Sequence, residues 1–233
     1  MIENGFNHYQ LSDLLQYLSS IPEDENGRIP SLTELSRQLG ISVASLREQL
    51  EVARLMGIVQ IKPKAGIHKN SYQLRPVLNA SLSYGVQVDQ QVFWQVADMR
   101  KHLETAYFIE AAKLLSTSDK EDLTLIVKRA QKKLRSIPSQ LPTLEHRNFH
   151  LTIYCRLNNR LVFEFLETYW DLYRLTGMDV YKDINYVDRV WHYHSRIVDQ
   201  IRNGNYEEGL QILLEHMDLI RTRERQGPRL SFE

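Results

Sequence analysis

Cysteine is nearly absent. The 233 residues hold a single one, Cys155, which excludes an intramolecular disulfide and makes the cytoplasm the expected compartment. No apolar run approaches the roughly 20 residues that span a bilayer. The first ten residues, MIENGFNHYQ, have neither the basic nor the apolar region of a secretory signal. Net charge is absent too, with 29 basic and 29 acidic side chains. That balance is local rather than uniform. Residues 1–27 contain no Lys or Arg and five acids, whereas residues 28–75 carry eight basic residues against Glu34, Glu48 and Glu51. The rest of the chain balances. A positive segment inside a neutral chain points to a polyanionic partner for that segment. A hydrophobic content of 42% and a charged content of 25% are those of an ordinary globular protein, long enough for one large or two modest domains.

Helical signals open the chain. Leu11, Leu14, Leu15 and Leu18, at spacings 3, 1 and 3, predict an amphipathic helix over 7–20. Pro22 and the acidic run to Gly27 end it. Ser31 followed by Glu34 forms a capping box for a second helix, and Gly40 closes that helix in the left-handed position where glycine costs least. Ser42 caps a third helix running to about Met56, which buries Leu46, Leu50 and Ala53, with Ile41 stapled onto Leu46. Past Gly57, Ile58–Lys62 reads as a strand, Pro63–Gly66 as a turn and Ile67–Leu74 as a return strand. Two helices about Leu39-Gly40-Ile41 plus a basic hairpin have the proportions of a winged helix-turn-helix. A three-helix packing module without nucleic acid is the competing reading.

The ordered set Gly27-Arg28-Ile29-Pro30-Ser31, Glu34-Leu35, Leu39-Gly40-Ile41-Ser42, Leu46-Arg47-Glu48, Leu50, Gly57-Ile58-Val59 and Gly66 resembles the DNA-binding domain of the GntR family of bacterial transcription regulators. The resemblance covers about residues 8–75. It implies double-stranded operator DNA as a partner and a homodimer reading two half-sites. Two of the family's DNA-reading arginines are missing, since Leu32 and Thr33 follow Pro-Ser and Val43 follows the first serine of the recognition helix. Arg47 is retained. The expected DNA set is therefore Arg37, Ser42, Ala44, Ser45 and Arg47 with the wing's Lys62, Lys64, Gly66, His68 and Lys69. A lost guanine-reading arginine removes about 1–3 kcal/mol of discrimination, so an atypical or weaker operator is expected. The hairpin lysines suit phosphates, which position without specifying.

Residues 76–91 show no sustained period and read as a linker between a domain at 1–75 and another at 92–226. Beyond it, helical stripes broken near 116–118, 137–142, 158–159, 177–179 and 203–205 predict about six helices, an all-α bundle. The fold expected is mainly α. The stretch 118–136, charged on its outer face, should be peripheral, and Asn158 should end its helix in the left-handed region. His146 and His150 lie one turn apart on one helical face, near enough to share a metal ion. His194 and His216 sit on the inward stripes of two later helices. Taken alone, any of these histidines is more often a hydrogen-bonded core residue than a ligand.

The pattern Arg100-x-x-x-Glu104, His146-x-x-Phe149-His150, Asn159, His194-x-x-Ile197-Val198, Asn203-Gly204-Asn205 and His216 resembles the FCD effector domain of the FadR subfamily, over about residues 92–225. The resemblance implies that His150, His194 and His216 ligate a divalent metal. His146 stands where relatives place an aspartate. An all-imidazole set brings no ligand charge, which favours Zn²⁺ or Ni²⁺ over Mg²⁺ or Mn²⁺ and strengthens attraction for an anion. The adjacent Glu145 points about 100° away on a helix. A small organic acid is the expected effector, bound at the metal and by Arg100, with Asn159, Arg174 and Arg221 as helpers. A metal-dependent hydrolase would need an open coordination position and a general base. No carboxylate is spaced for that, so the chain reads as a regulator rather than an enzyme. A regulator sensing the metal alone and a metal-free histidine cluster remain as alternatives.

Overall fold

The computed structural model describes residues 11–22, 27–178 and 183–224, with 221–224 described through their backbone only. It divides into two compact units, Met1–Ala80 and Ser81–Glu233. The fold is mainly helical, with one two-stranded sheet among the described residues. None of the described helices is long and apolar enough to cross a membrane.

The first unit holds α1 (Asp13–Ser20), α2 (Leu32–Leu39), α3 (Val43–Leu55) and the hairpin β1 (Val59–Lys62) and β2 (Gly66–Lys69). Leu14, Leu18, Leu35 and Leu46 are fully buried in one cluster with Leu50, Ala53 and Val59. Each buried leucine contributes about 1.5–3 kcal/mol. The expected caps are in place. Ser31 and Glu34 make the reciprocal capping box, and Gly40 ends α2 at φ 70°. The Ser42 side chain accepts from Ser45 N at 3.1 Å, and Ile41 packs against the cluster that contains Leu46.

Two expectations for this unit change. Leu11 precedes α1 and is 49% exposed, because its spacing from Leu14 sets a face only if both are helical. The expected helical start at residue 7 lies outside the described residues. Within α1, Leu14 N is instead satisfied across the unit by Gln49 Oε1 of α3 at 2.8 Å. The return strand stops at Lys69 rather than Leu74, since its partner begins at Val59, directly opposite Lys69. On its other edge β2 gains a rung not expected from sequence, with Ile29 N donating to Ile67 O at 3.0 Å and Lys69 N to Gly27 O at 2.6 Å. The turn between the strands is closed by Ala65 N donating to Lys62 O. Pro63 takes its second position and Lys64 its third at φ 62°, a type II turn carrying a non-glycine in the left-handed region.

Residues 76–91 are not an irregular linker. Most of them form α4 (Arg75–Val88), and the division between the units falls inside it. Pro76 sits in the first helical turn, where its missing N–H is not needed. Gly85 allows close approach of the following helix, since a Cβ there would meet Val92 Cγ1 at 3.3 Å. Six helices follow among the described residues: α5 (Gln91–Leu114), α6 (Thr117–Leu134), α7 (Thr143–Tyr154), α8 (Arg160–Leu175), α9 (Ile184–Asn203) and α10 (Tyr206–Glu224). α5 touches α7, α8 and α10, while α9 packs on α6 and α10. Phe93, Phe108, Phe149, Tyr154, Tyr169 and Trp191 are among the largest fully buried side chains. α6 packs on α7 and α9 and contributes no histidine. Among the described residues Lys64 is the one non-glycine with positive φ, so Asn158 is not left-handed. α7 stops earlier, with Cys155 as its right-handed cap, and Asn159 begins α8.

Candidate metal centre and nucleic-acid face

Three helices bring the four histidines together: α7 carries His146 and His150, α9 carries His194 and α10 carries His216. One ligand atom from each lies within 4.8 Å of the other three. The Nε2 of His216 is 3.2 Å from Nε2 of His194 and 3.3 Å from Nε2 of His150. A tetrahedral ion with bonds of about 2.0–2.1 Å sets its ligand atoms about 3.3–3.4 Å apart, so His216 Nε2 already stands at ligand spacing from each of the other two. Burial holds all three imidazoles well below the usual histidine range, which leaves them neutral as metal ligation requires. His146 is half-buried. Ring packing fixes the imidazole planes. Phe149 stacks on His194 at 4.0 Å and 20°, and Trp170 meets His146 edge-on at 4.7 Å. The donor set therefore fits a divalent ion, which His150, His194 and His216 could hold with His146 within reach as a fourth donor. Glu145 turns away, bonded to Lys133 at 2.8 Å.

Glu104 of α5 stands behind this set. Its Oε2 accepts from His150 Nδ1 at 2.7 Å, and its Oε1 accepts from Arg100 Nε at 2.5 Å. A carboxylate on the far nitrogen of a ligating histidine fixes the ring's tautomer and strengthens it as a ligand. Burial pushes the Glu104 carboxyl up, against the opposing pull of the Arg100 guanidinium. Tyr154 OH adds a bond to the Glu104 backbone carbonyl at 2.8 Å.

The expected effector residues do not gather in one place. Arg100 is buried against Glu104 and lines a cleft of about 660 Å³, while His146 lines a separate, narrow apolar one with Tyr173, Val190 and Trp191. Arg174 is exposed in the last turn of α8, because its helical phase turns it away from the neighbouring buried Leu172 and Tyr173. Asn159 is engaged locally, its Oδ1 accepting from Val162 N and its Nδ2 donating to Tyr107 OH, each at 3.3 Å. The Arg221 side chain lies outside the described residues.

On the first unit, Arg37, Ser42, Ala44 and Arg47 are exposed on α2 and at the start of α3, and Ser45 is half-buried. Lys62 and Lys64 are exposed on the hairpin. Gly66, His68 and Lys69 are half-buried in β2. Lys69 Nζ donates to Ile21 O at 2.7 Å, and His68 Nε2 lies 3.3 Å from Ala65 O.

Residues 95–219 match the FCD domain. The chain belongs to the FCD-domain family. It is similar to the HTH-type transcriptional regulator LutR of Bacillus subtilis, 22% identical over 197 residues that cover 82% of this chain and 88% of LutR. Among solved structures, Streptococcus agalactiae GntR shares the fold at a TM-score of 0.57 with 15% identity, over 90% of this chain and 95% of that one. E. coli McbR/YncC does so at 0.51 with 17% identity, over 94% and 100%. A winged helix followed by an FCD domain is the composition of a GntR-family transcription regulator, as the sequence resemblance implied.

Some contributors to the FCD site were not singled out by sequence reasoning. Glu104 was quoted beside Arg100 without a role, although its spacing of four put both on one helical face. Phe149 stands in the sequence only as part of a motif, and nothing in the spacing of Phe149, Tyr169 and Trp170 distinguishes a wall of the site from packing.

Proposed function

We propose that this FCD-type regulator binds operator DNA as a homodimer and answers to a small organic acid at a divalent metal held by His146, His150, His194 and His216. The supporting observation is the convergence of four imidazole nitrogens within 4.8 Å. Zn²⁺ or Ni²⁺ suits an all-nitrogen set better than Mg²⁺ or Mn²⁺. Once bound, the ion would supply a Lewis-acidic position for an anionic oxygen. The chain's own side chains do the rest: Glu104 orients His150, and Phe149 and Trp170 hold the rings. On the first unit, Arg47 is the base-reading residue, Ser42, Ala44 and Ser45 lie at the helix end that faces the groove, and Arg37, Lys62 and Lys64 are the phosphate contacts. The acid acts by favouring one arrangement of the dimer over another.

A second reading has its own support. Four protein nitrogens complete a tetrahedron and leave no open position, which favours a regulator that senses the metal itself. Fluorescence anisotropy with DNA from the gene's own promoter, titrated with Zn²⁺, a chelator and a panel of small acids, separates the two. Affinity that answers to an acid supports the first reading, and affinity that answers to Zn²⁺ alone supports the second. Indifference to the promoter at low salt would defeat both.

A further inference from the structure

Strand pairing gives the hairpin two faces. Residues 27–29 run antiparallel to β2 with Arg28 opposite His68, and His68 stands opposite Gln60 of β1. Alternation along each strand turns Val59, Ile29 and Ile67 toward the core, where Val59 and Ile29 are buried. Arg28, Gln60, Lys62 and His68 therefore share the outer face. Arg28 and His68 form a non-hydrogen-bonded pair, flanked by Ile29 N donating to Ile67 O and Lys69 N donating to Gly27 O. Pairs of that kind bring side chains closest. The exposed Arg28 side chain reaches along the sheet toward the turn, since a Cβ on Gly66 would lie 3.5 Å from its Nε and 3.9 Å from its Nη2. Gly66 is paired with Lys62, so the guanidinium lies over a position without a side chain, in the rung of that lysine. No acid occurs in the sequence between Glu51 and Asp89. At the start of α3, by contrast, Ser42, Val43, Ala44 and Ser45 bring no cation before Arg47.

We propose that Arg28 is a sequence-reading residue of the DNA-binding unit, which enters the minor groove flanking the major-groove contact of α3 and there selects A·T-rich DNA by the width of the groove. A narrow A·T minor groove concentrates negative potential and draws in arginine. A guanidinium is flat and weakly hydrated, so it leaves water for such a groove more readily than an ammonium does. Gly66 gives it room to lie flat on the sheet, and Lys62 and Lys64 serve the phosphates. The proposal rests on the DNA-binding reading above and adds a base preference that the small side chains at the start of α3 do not supply.

Fluorescence anisotropy with the full chain tests this on a fragment of the gene's own promoter, after footprinting has located the contact of α3. Three versions of the fragment carry flanks made wholly of A·T, of I·C or of G·C pairs. An I·C pair shows the minor groove of A·T, whereas G·C adds an amino group there. The parent protein binds the A·T and I·C versions alike and the G·C version on the order of tenfold more weakly. Arg28→Lys keeps the charge, so melting and salt dependence stay as in the parent, but the preference shrinks to within about twofold. Arg28→Ala loses the preference too and lowers the salt slope by about one. A parent that binds all three versions alike overturns the proposal and leaves the DNA-binding reading intact. So does an Arg28→Lys variant that keeps the parent's preference, whether its affinity is unchanged or is weakened equally on all three. A parent that ignores all three at low salt defeats the DNA-binding reading and this proposal with it.

Discussion

Replacing Glu104 by Gln removes one negative charge from a place with no access to water. Glu104 is 0% exposed, and its oxygens receive Arg100 Nε at 2.5 Å and His150 Nδ1 at 2.7 Å. An amide keeps one accepting oxygen. Its NH₂ group then faces either the guanidinium or the imidazole N–H, donor against donor, and the buried Arg100 charge loses its counter-ion. Breaking a buried ion pair by removing one partner costs about 3–5 kcal/mol. In a unit the size of Ser81–Glu233 each kcal/mol shifts the melting temperature by about 2–4 °C. The same substitution frees His150 to rotate or change tautomer, which typically costs about 10–100-fold in metal affinity. Urea unfolding at neutral pH followed by near-UV circular dichroism measures the first effect, and zinc competition against a fluorescent chelator measures the second. A variant as stable as its parent, with zinc affinity unchanged, would refute the placing of Glu104 as the anchor of both Arg100 and His150.

Three further predictions rest on other parts of the molecule. His146→Asp restores an anionic ligand and shifts selectivity toward Mn²⁺ relative to Zn²⁺, on the order of tenfold; an unchanged ratio in competition titrations would show that His146 is not a ligand. Asp119 caps α6 from within a capping box and bonds Arg156, whose hydrogen bond is the main force holding its carboxyl at about 2 instead of 3.8. Because the folded value is the lower one, its stabilisation is complete above the ordinary value of 3.8 and is lost as the pH falls through about 2. Asp119→Asn should therefore cost about 1 kcal/mol at neutral pH, and the gap between the two urea midpoints should narrow on acidification; a constant gap would contradict the assignment. Lys64→Gly relieves a left-handed residue in the hairpin turn and should stabilise the first unit by up to about 1 kcal/mol, while promoter binding weakens through loss of a phosphate contact; a destabilised variant would mean that the turn needs the lysine side chain.

Local chemistry was the legible part of the fold. Ser31 with Glu34, Gly40 and Ser42 each signal a helix end through contacts spanning three or four residues, and all three helix ends lie where those signals put them. α4 was illegible for a physical reason: its apolar residues are spread around the helix rather than gathered on one stripe, and of its fourteen residues only Val86 is buried. The short return strand depended on where its partner begins, which no residue in 70–74 encodes. In the site, His146 and His150 were readable as a pair because one helix holds both. The approach of His194 and His216 became legible only through family resemblance, since it depends on how α7, α9 and α10 pack. Arg100 was expected to wait for an effector, yet part of its charge is answered internally by Glu104. Arg174 was expected to help hold the acid, and helical phase leaves it exposed.

The central claim is that four imidazoles form one metal centre. Zinc K-edge X-ray absorption on the full chain, loaded with one equivalent of Zn²⁺ and freed of excess metal, tests it most directly. The account predicts one tightly held zinc per chain, about four nitrogen neighbours at about 2.0–2.1 Å, the outer-shell scattering of imidazole rings, and loss of the metal in His150→Ala. Zinc that washes out of the parent protein, or that stays bound in His150→Ala, would contradict it.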